Sequence, residues 1–597
     1  MAWYSRGGFF FWDDFIYLEQ ARQSPFSLTY LRLGIFDHFS PVMRTLTYLA
    51  VHGFSSSWPL ARLLMLGLLA AAVLAFAALA RTLFGTGWMA LLLTVAFGQS
   101  LFILRLLQWW SSSAQILAGQ VLLVLTLLGY VRHLATGRRR DLVLSLAAYC
   151  LALLAWEQAM MAPGYLVLLR LLVLEERASL AGWWRALWRG RWIWVAYAVP
   201  TALCLVNYSL RYYRPQPPPT ASAFLEYLRV AVAETFLPAA AGVWRPLDEL
   251  GSSRAVLLAA ALAVAALVAC TLARHPRAWR AWAFFAVAAA ANTVVLGRAR
   301  VTHIGPVAAG HELNYQQGGA LLLLLAAGFA LHPRYAGSPR RWRLPRLPIR
   351  PGRAVGLCLA GALAIYEALF AVSAAAMGDS FTFPRETRAY FDRLLPDLDA
   401  LRARGREPVV VGGTVPYAVV PALFAPANRY EEILPLFDEG MRFNETGGPL
   451  HRVDPRGHLV AVRFEVAQSV DLGDPGQAAA VTLDSMEREA GAAGLCLRST
   501  GARGAVEVRL PGTVRGPGLY VHELYSVDAP VPVTVTADRG NGWDPASATG
   551  GLWLPGSPGG LDEVGAGSAT GIRLGGFPPG SHICLGLLEL GRLVDLP

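Results

Sequence analysis

The sequence contains no lysine, so all 52 residues in its combined lysine and arginine count are arginine. It is also poor in charge, because Asp, Glu, Lys and Arg make up 16% of the 597 residues while hydrophobic residues make up 55%. With a mean hydropathy of +0.41, the chain has more apolar surface than one soluble core could bury. The sequence therefore excludes a soluble globular protein and predicts a membrane protein.

Several common site patterns are also missing. No spacing of Cys and His resembles a zinc site, and no Walker, dinucleotide-binding or nucleophile-elbow pattern occurs. The net charge of +11 does not indicate nucleic-acid binding, because no basic patch alternates with stacking aromatic residues. Residues 1–376 hold 33 Arg against 14 acidic residues, whereas residues 377–597 hold 19 against 27. The chain thus divides into a basic apolar part and an acidic part exposed to water.

Ten hydrophobic windows have about the 20-residue length that a bilayer requires. They are residues 59–81, 87–104, 113–131, 141–156, 158–174, 191–210, 254–273, 279–296, 316–332 and 353–375. The fourth and fifth windows are short and are joined only by Trp156, Glu157 and Gln158. The windows predict a helical membrane domain of about ten spans.

Arginine is unevenly distributed among the loops between the windows. Four loops hold 18 Arg in total, and the three loops that alternate with them hold 7. The Arg-rich loops are residues 132–140, 175–191, 274–280 and 332–353, and the others are residues 105–112, 211–253 and 297–315. Because short loops rich in Arg stay in the cytoplasm, the pattern predicts a multi-pass plasma-membrane protein. Residues 1–58 and the tail from residue 377 are then extracytoplasmic.

An extracytoplasmic position for residues 1–58 has a consequence for the start of the chain. An upstream span should carry them across the membrane, so we expect the natural reading frame to include one more helix before Met1. The alternative is a translocated segment of about 58 residues without a leading helix.

The acidic part has the patterns of a mixed fold. Residues 382–406 place Tyr390, Leu394, Leu398 and other apolar residues at helical spacing, and residues 408–413 predict a buried strand and turn. After about residue 476, short alternating strands such as 506–510, 531–535 and 571–574 predict an antiparallel β-sandwich. The predicted domains are a first loop at 1–58, a transmembrane domain at 59–376, an α/β segment at 377–475 and a sandwich at 476–597.

Six cysteines are present, and two of them lie in the predicted sandwich. Cys496 and Cys584 fall in strand-like segments on the predicted oxidising side, so we predict a disulfide between them. The other four lie in apolar windows and are expected to be small buried hydrophobic residues.

The first loop contains two acidic motifs beside aromatic residues. Adjacent carboxylates at Asp13 and Asp14 would repel each other in a partly dry site, so the pKa of at least one should rise into the range of a general base. The structural alternative is that Asp13 caps a helix beginning at Phe15 and that Asp37 and His38 form a turn before a helix at Pro41.

Other candidate residues lie at the predicted outer ends of later windows. Glu157 opens the fifth window, where a solvated helix end is the competing explanation. Arg298, Arg300 and His311 lie in the loop at 297–315, and Arg side chains are suited to phosphate oxygens. For either Arg taken singly, contact with lipid headgroups is an equal alternative.

Together these motifs resemble the GT-C superfamily of multispanning glycosyltransferases, which take sugars from lipid-phosphate donors. In that family an acidic pair follows the first helix, as in Trp12-Asp13-Asp14, and a His-x-Ser-Pro segment follows, as in His38-Phe39-Ser40-Pro41. A Glu-x-Ala motif opens a later span, as in Glu157-Gln158-Ala159. An extracytoplasmic C-terminal domain recurs in actinobacterial arabinofuranosyl- and mannosyltransferases, where it can be a β-sandwich resembling a carbohydrate-binding module.

The resemblance implies a particular reaction. A polyprenyl-phosphate sugar would bind with its phosphate near Arg298, Arg300 or His311, and Asp13 or Asp14 would accept a proton from an acceptor hydroxyl on a cell-envelope glycan or lipid. The anomeric configuration would invert, with Glu157 in the catalytic site and Asp37 and His38 in the acceptor loop. No cofactor is required, although Asp13 and Asp14 could hold Mg²⁺ or Mn²⁺.

Two other functions stay open from the sequence. A non-catalytic transporter of lipid-linked glycans, or a scaffold for envelope assembly, would use the same outer acids and Arg to bind a headgroup. A transporter should carry polar residues deep within several spans and an internal repeat, whereas these windows are nearly pure Leu, Ala and Val. A pseudoenzyme that uses only its sandwich for binding is the third possibility.

Overall fold

The structure is a computed structural model. It describes residues 3–35, 38–175, 179–212, 217–244, 254–337, 351–405, 408–445, 449–474, 480–489, 495–545, 548–557 and 559–596. For residues 254, 256, 351–360, 362 and 363 it describes the backbone alone. Asp37 lies outside the described residues, so its predicted role stays a prediction.

The chain divides into two compact units. The helical unit consists of Met1–Phe10 and Gln20–Arg385, and the β unit consists of Phe11–Glu19 and Glu386–Pro597. This division differs from the predicted domains in two respects. The first loop is shared between the units, and residues 377–475 are not separated from the sandwich.

The helical unit is built from α-helices joined by short turns. Its helices are α2 Leu28–Leu31, α3 Pro41–His52, α4 Trp58–Phe84, α5 Trp88–Gly98, α6 Leu101–Leu104, α7 Trp110–Thr136, α8 Arg139–Ala155, α9 Ala162–Leu168, α10 Leu180–Arg189, α11 Arg191–Arg211, α12 Ala221–Leu228, α13 Leu237–Ala240, α14 Arg254–Arg274, α15 Ala278–Ile304, α16 Pro306–His311, α17 Gln317–Leu331, α18 Pro333–Ala336 and α19 Pro351–Ser380; α1 Asp13–Gln23 crosses the unit boundary. Tighter 3-10 turns occur at Tyr4–Gly7, Arg105–Gln108, Glu157–Met161 and Leu313–Gln316, and π-helical segments at Leu169–Leu174 and Arg229–Phe236.

Each of the ten predicted windows overlaps a helix of this unit. Among the described residues six helical segments are long and apolar enough to cross a membrane, and a seventh is added if the pair Trp88–Gly98 and Leu101–Gln108, bent by 40°, forms one span. The six are Trp58–Phe84, Trp110–Thr136, Glu157–Leu174, Arg191–Arg211, Leu257–Arg274 and Ala278–Ile304. The helical membrane character is thus established, and the count of ten spans stays a prediction.

The segments predicted to be cytoplasmic meet at one end of the helical unit. The Arg280 side chain donates to the carbonyl of Glu175, and the backbone N–H of Arg277 donates to the carbonyl of Ala336 at 3.0 Å. The His275 ring contacts the carbonyl of Gly337 at 3.0 Å. These contacts join three of the four Arg-rich loops, as strict alternation of spans requires.

Two expectations for the helical unit are corrected. Residues 297–315 are not a loop throughout, because α15 continues to Ile304 and α16 and a 3-10 turn follow. Cys150 and Cys270 are exposed rather than buried, because they lie on outward helix faces that a membrane would cover.

Among its described residues, the β unit contains the first part of α1, two further α-helices and twelve strands. The helices are α20 Phe383–Ala403, which begins just before the unit boundary, and α21 Tyr430–Ile433. The strands are β1 Val409–Val410, β2 Arg442–Phe443, β3 Leu450–Val453, β4 Leu459–Asp471, β5 Val481–Asp484, β6 Met486–Arg488, β7 Leu495–Ser499, β8 Gly504–Val527, β9 Val531–Asp538, β10 Thr549–Trp553, β11 Gly560–Phe577 and β12 His582–Asp595. The predicted amphipathic helix and strands all occur, with Tyr390, Leu394 and Leu398 buried.

All twelve strands belong to one sheet, in the order β10-β9-β11-β8-β12-β4-β3-β1-β2, with β5, β6 and β7 paired beside this path. The sheet is antiparallel except where β1 runs parallel to β2 and β3. Strand β4 of the predicted α/β segment pairs with β12 of the predicted sandwich, which is why the two form one unit. Val506, Val535, Ile572 and Leu588 are among the buried residues of its core.

A disulfide joins two strands of this sheet. Cys496 on β7 and Cys584 on β12 are directly paired across the strands, with an S–S distance of 2.03 Å. These are the two cysteines that the sequence analysis paired.

Candidate active site

Glu157 is the centre of a hydrogen-bonded cluster in the helical unit. Its Oε1 accepts a hydrogen bond from the backbone N–H of Phe39 at 2.8 Å, and its Oε2 accepts one from Nε2 of Gln115 at 2.9 Å. Nδ1 of His38 lies 3.2 Å from Oε1. Three donors from two segments, His38-Phe39 and Gln115, therefore converge on one carboxylate whose side chain is only 18% exposed.

His38 connects this carboxylate to Arg300. The Nη2 atom of Arg300 lies 2.8 Å from Nε2 of His38, and a guanidinium can only donate. Nε2 of His38 must therefore accept, so the ring proton is on Nδ1 and points to Glu157. The chain of contacts runs from carboxylate through neutral imidazole to guanidinium, and we name Gln115, Glu157, His38 and Arg300 the Glu157 cluster.

Local structure explains why these side chains converge. Helix α8 ends at Ala155, Trp156 is extended, and a 3-10 turn at Glu157–Met161 precedes α9. The predicted break between the fourth and fifth windows is thus where Glu157 turns inward. Gly119 of α7 permits this geometry, because a Cβ there would lie 2.6 Å from Cβ of Trp156.

Arg298 and Arg300 lie on opposite faces of the same helix. Both lie on α15, where two residues correspond to a rotation of about 200°. Arg300 joins the Glu157 cluster and its Cζ lies 5.6 Å from the centre of the Tyr315 ring. Arg298 is exposed on the opposite face, so the structure brings only one of the two predicted arginines to the cluster.

His311 lies in a neighbouring cluster with Arg105, Glu312 and Trp244. Its ring is buried, lies at a 35° tilt to the Trp244 ring with 6.0 Å between ring centres, and has no hydrogen-bond partner on either nitrogen among the described residues. Arg105 forms an ion pair with Glu312 at 3.1 Å. Burial, followed by the charge of Arg105, lowers the pKa of His311 to about 4, so the imidazole is neutral at pH 7.

Asp13 and Asp14 belong to the β unit and form the first turn of α1. Asp14 is fully buried, and its Oδ2 accepts a hydrogen bond from the backbone N–H of Phe11 at 3.3 Å. Asp13 is half-buried. The helix begins at Asp13 rather than at Phe15, so both carboxylates lie at the positive end of its dipole, and Asp14 also bonds back to the backbone of Phe11, which precedes the helix.

The turn before Asp13 is anchored to a second segment of the β unit. Trp12 has a φ of 55°, which is uncommon for a bulky residue, and its backbone N–H donates to the carbonyl of Val419 at 2.6 Å. Its ring meets the ring of Tyr417 edge-on at 6.1 Å. Because Tyr417 is 60% exposed, an aromatic surface lies beside the acidic pair.

A second acidic pair is buried within the sheet. Glu523 on β8 and Asp562 on β11 lie on adjacent strands and are each at most 5% exposed. Burial, and then the neighbouring Asp562 carboxyl, raise the pKa of Glu523 well above its usual range, and burial likewise raises the pKa of Asp562. The pair therefore retains protons under conditions that ionise an exposed carboxyl group.

No group of three or more His, Cys, Asp or Glu side chains is arranged to hold a metal ion in the part of the chain that the structure describes. Asp13 and Asp14 supply two carboxylates, and one oxygen of Asp14 is already bonded to the backbone. A cation at this pair stays a prediction of the sequence.

Three residues in or beside the Glu157 and His311 clusters, namely Gln115, Arg105 and Tyr315, were not predicted from the sequence. Gln115 is part of a polar stretch, Ser111-Ser112-Ser113-Ala114-Gln115, which opens an otherwise apolar window and was a usable signal. Arg105 is the single Arg of its predicted outer loop. Tyr315 carried no signal, because an aromatic residue at a membrane boundary is common.

No family model and no curated protein sequence matches the chain. Among solved structures it is similar to the arabinofuranosyltransferase AftD from mycobacteria, with 14% identity and a TM-score of 0.32, over 92% of this chain and 54% of that one. It is also similar to the arabinosyltransferase EmbB from Mycobacterium smegmatis, with 12% identity and a TM-score of 0.32, over 100% of this chain and 64% of that one. This chain thus spans less than two thirds of the length of either.

Proposed function

We propose that this protein is a membrane glycosyltransferase that transfers a sugar from a polyprenyl-phosphate donor to an extracytoplasmic glycan or lipid, with inversion of the anomeric carbon. The Glu157 cluster is the observation that carries the proposal. A partly buried carboxylate, imidazole and guanidinium at the end of a helical membrane domain are costly, and such groups are functional candidates by default. Here they come from separate segments that the arginine pattern assigns to one side.

Arg300 and His311 are the proposed ligands of the donor phosphate. Only one Nη atom of Arg300 is engaged with His38, and a guanidinium has donors left for phosphate oxygens. The neutral ring of His311 can donate one hydrogen bond without adding charge, and Arg105 supplies a second cation nearby. Glu157 is a positioning residue, because it fixes the tautomer and orientation of His38.

Asp13 is the proposed general base. It is more exposed than Asp14, which is buried and bonded to the backbone of Phe11. The acceptor hydroxyl would lose its proton to Asp13 as its oxygen forms a bond to the anomeric carbon. The bond from that carbon to the phosphate oxygen breaks, and polyprenyl phosphate leaves as a stable anion without a general acid.

The acceptor sugar is proposed to stack on Trp12 and Tyr417. The apolar face of a sugar ring suits an aromatic side chain, while its hydroxyls need acceptors such as the Asp13 carboxylate. The backbone of Trp12 lies in the left-handed region, which is strained for a bulky residue. Such strain is concentrated at functional sites, so it is a second argument for an acceptor site at Trp12.

An extracytoplasmic position of the β unit is supported by its disulfide. Disulfides persist in oxidising compartments and are rare in the cytoplasm. The link between Cys496 and Cys584 therefore agrees with the arginine pattern of the loops.

The test uses the full-length protein in membranes with radiolabelled polyprenyl-phosphate pentose and hexose donors. Asp13→Asn should lower transfer by at least about a hundredfold if Asp13 is the base. Arg300→Ala should weaken donor binding, whereas Arg298→Ala on the opposite face of α15 is the matched control and should not. Undiminished transfer in Asp13→Asn and Arg300→Ala would reject the assignment, and donor binding without transfer in the wild type would favour a transporter or pseudoenzyme.

A further inference from the structure

Helix α10 presents large apolar side chains to the outside of the helical unit. Leu180, Trp184, Trp188 and the following Trp192 are 82%, 65%, 59% and 71% exposed. The three residues on α10 are spaced by four, so they lie on one face of the helix. Trp184 and Trp188 stack on each other with ring centres 6.0 Å apart. An apolar stripe of this size on a surface indicates a partner.

The opposite side of α10 is already packed against the protein. Gly182 and Ala186 are buried, and Ser179 caps the helix by accepting a hydrogen bond from the backbone N–H of Gly182 at 3.1 Å. At the other end Gly190 permits a tight turn, because a Cβ there would lie 2.9 Å from Nε1 of Trp194. The helix is therefore held along a seam of small residues with its aromatic stripe facing outward.

Arginine occupies a third face of the same helix. Arg185 and Arg189 are exposed, and each lies about 100° around the helix from the Trp residue that immediately precedes it in the sequence. Arg191 lies over the rings of Trp188 and Trp192, with Cζ 5.1 and 5.7 Å from their centres. An apolar stripe flanked by Arg is the pattern of a helix that lies in a membrane interface.

The stripe is continuous with a surface that faces lipid. Helix α11 follows after Gly190 and is one of the candidate spans, and Val195, Val199 and Leu203 on it are exposed. An acyl layer around α11 would therefore reach Trp188 and Trp192. Headgroups would then lie at the level of the arginines. Both exposed faces of α10 would therefore have a favourable environment, the Trp face among acyl chains and the Arg face among headgroups.

We propose that α10 lies flat in the bilayer interface and binds anionic phospholipid headgroups through Arg185, Arg189 and Arg191. The Trp stripe is buried at the boundary between headgroups and acyl chains, and the guanidinium groups bind lipid phosphates. Glu175 comes shortly before α10 in the chain, and its contact with Arg280 puts it at the Arg-rich end of the helical unit. The lipid is thus that of the cytoplasmic leaflet, whose surface is negatively charged.

The charge of the site is tested with the full-length protein in lipid nanodiscs. Phosphatidylglycerol is titrated into phosphatidylcholine, and the bound anionic lipid is counted by native mass spectrometry. A basic residue at an anionic surface contributes about 1 kcal/mol, so affinity should fall about fivefold for each arginine removed in Arg185→Gln with Arg189→Gln. Arg463→Gln with Arg592→Gln removes the same charge from the β unit and should leave affinity unchanged.

The depth of the stripe is tested separately with brominated phosphatidylcholine, which quenches Trp fluorescence within the bilayer. Trp184→Phe with Trp188→Phe should lower the quenched fraction, whereas Trp543→Phe in the β unit should not. Replacement of Arg185 and Arg189 by Lys keeps the charge and should keep the lipid affinity, which separates headgroup binding from a folding defect. Unchanged affinity in the Gln variant, or an unchanged quenched fraction in the Phe variant, would overturn the proposal.

Discussion

Glu157 shows how one side chain can order several segments at once. It accepts hydrogen bonds from the Phe39 backbone and Gln115 and lies beside Nδ1 of His38. Hydrogen bonds to an ionised group contribute about 1.5–3 kcal/mol each, more than those between neutral groups. The carboxylate therefore stabilises the segment at His38 and Phe39 as much as it prepares a site.

We expect Glu157→Gln to lower both stability and transfer. The amide keeps one acceptor oxygen but places an N–H₂ group against the donors at Gln115 or His38, so the unfolding free energy should fall by about 1–3 kcal/mol. Thermal unfolding of the purified protein and its transfer rate measure the two effects. Glu226→Gln, at an exposed position on α12, is the control. Wild-type behaviour of Glu157→Gln would show that the cluster is dispensable.

The acidic pair in the sheet predicts a dependence on pH. Because the pKa of Glu523 is raised in the folded protein, folding retains a proton that the unfolded chain releases above its usual pKa of about 4.3. The folded state therefore loses stability as pH rises from that value through the raised pKa. Glu523→Gln should flatten this decline.

The measurement compares unfolding midpoints of the full-length protein between about pH 5 and pH 8. Glu487→Gln removes an exposed carboxylate from β6 and should keep the wild-type slope. A slope in Glu523→Gln equal to that of the wild type would show that the pair does not retain its proton.

At the scale of elements, the position of Glu157 depends on the contact between α7 and Trp156. We expect Gly119→Ala to push Trp156 away and to displace Glu157, since a Cβ at residue 119 overlaps the side chain. Overpacking of this kind costs about 1–3 kcal/mol, and transfer should fall with it. Gly67→Ala on α4 meets no atom within 4 Å and should be neutral or stabilising. Equal activity and stability in the two variants would contradict this account.

The helices could be predicted from the sequence because lipid allows few alternatives to an apolar helix. Their ends could not, as α15 shows. Gly297-Arg298-Ala299-Arg300 is polar enough to end a hydropathy window, yet the helix continues to Ile304 because its backbone bonds do not require apolar side chains. These eight extra residues, about two turns, direct Arg300 and Arg298 to opposite faces.

The strands were predicted individually, but their pairing was not. Alternation identifies strands such as 506–510 and 571–574, whereas Asp471 pairs with Leu587 and Val462 with Asp595 across more than a hundred residues of sequence. Such register depends on the whole sheet. The same limit applies to the site, where Glu157, His38 and Arg300 were selected singly and the contacts of His38 with the other two depend on the fold.

At the scale of the whole molecule, the arginine pattern predicts which residues face the cytoplasm. A membrane-impermeant maleimide should label Ser222→Cys on intact cells, and it should label Arg139→Cys only after permeabilisation, because these exposed residues lie in loops of opposite predicted side. The wild type is the control for native cysteines. The reverse labelling would place the Glu157 cluster and the proposed chemistry in the cytoplasm.

The order of the strands affects how the β unit is assembled. Strand β12 pairs with β8, β4 and β7, so without residues 582–595 the described strands separate into three groups: β5 with β8–β11, β1–β4, and β6 with β7. Each group therefore keeps an unpaired strand edge until residues 582–595 have been synthesised, and such an edge can pair with another chain.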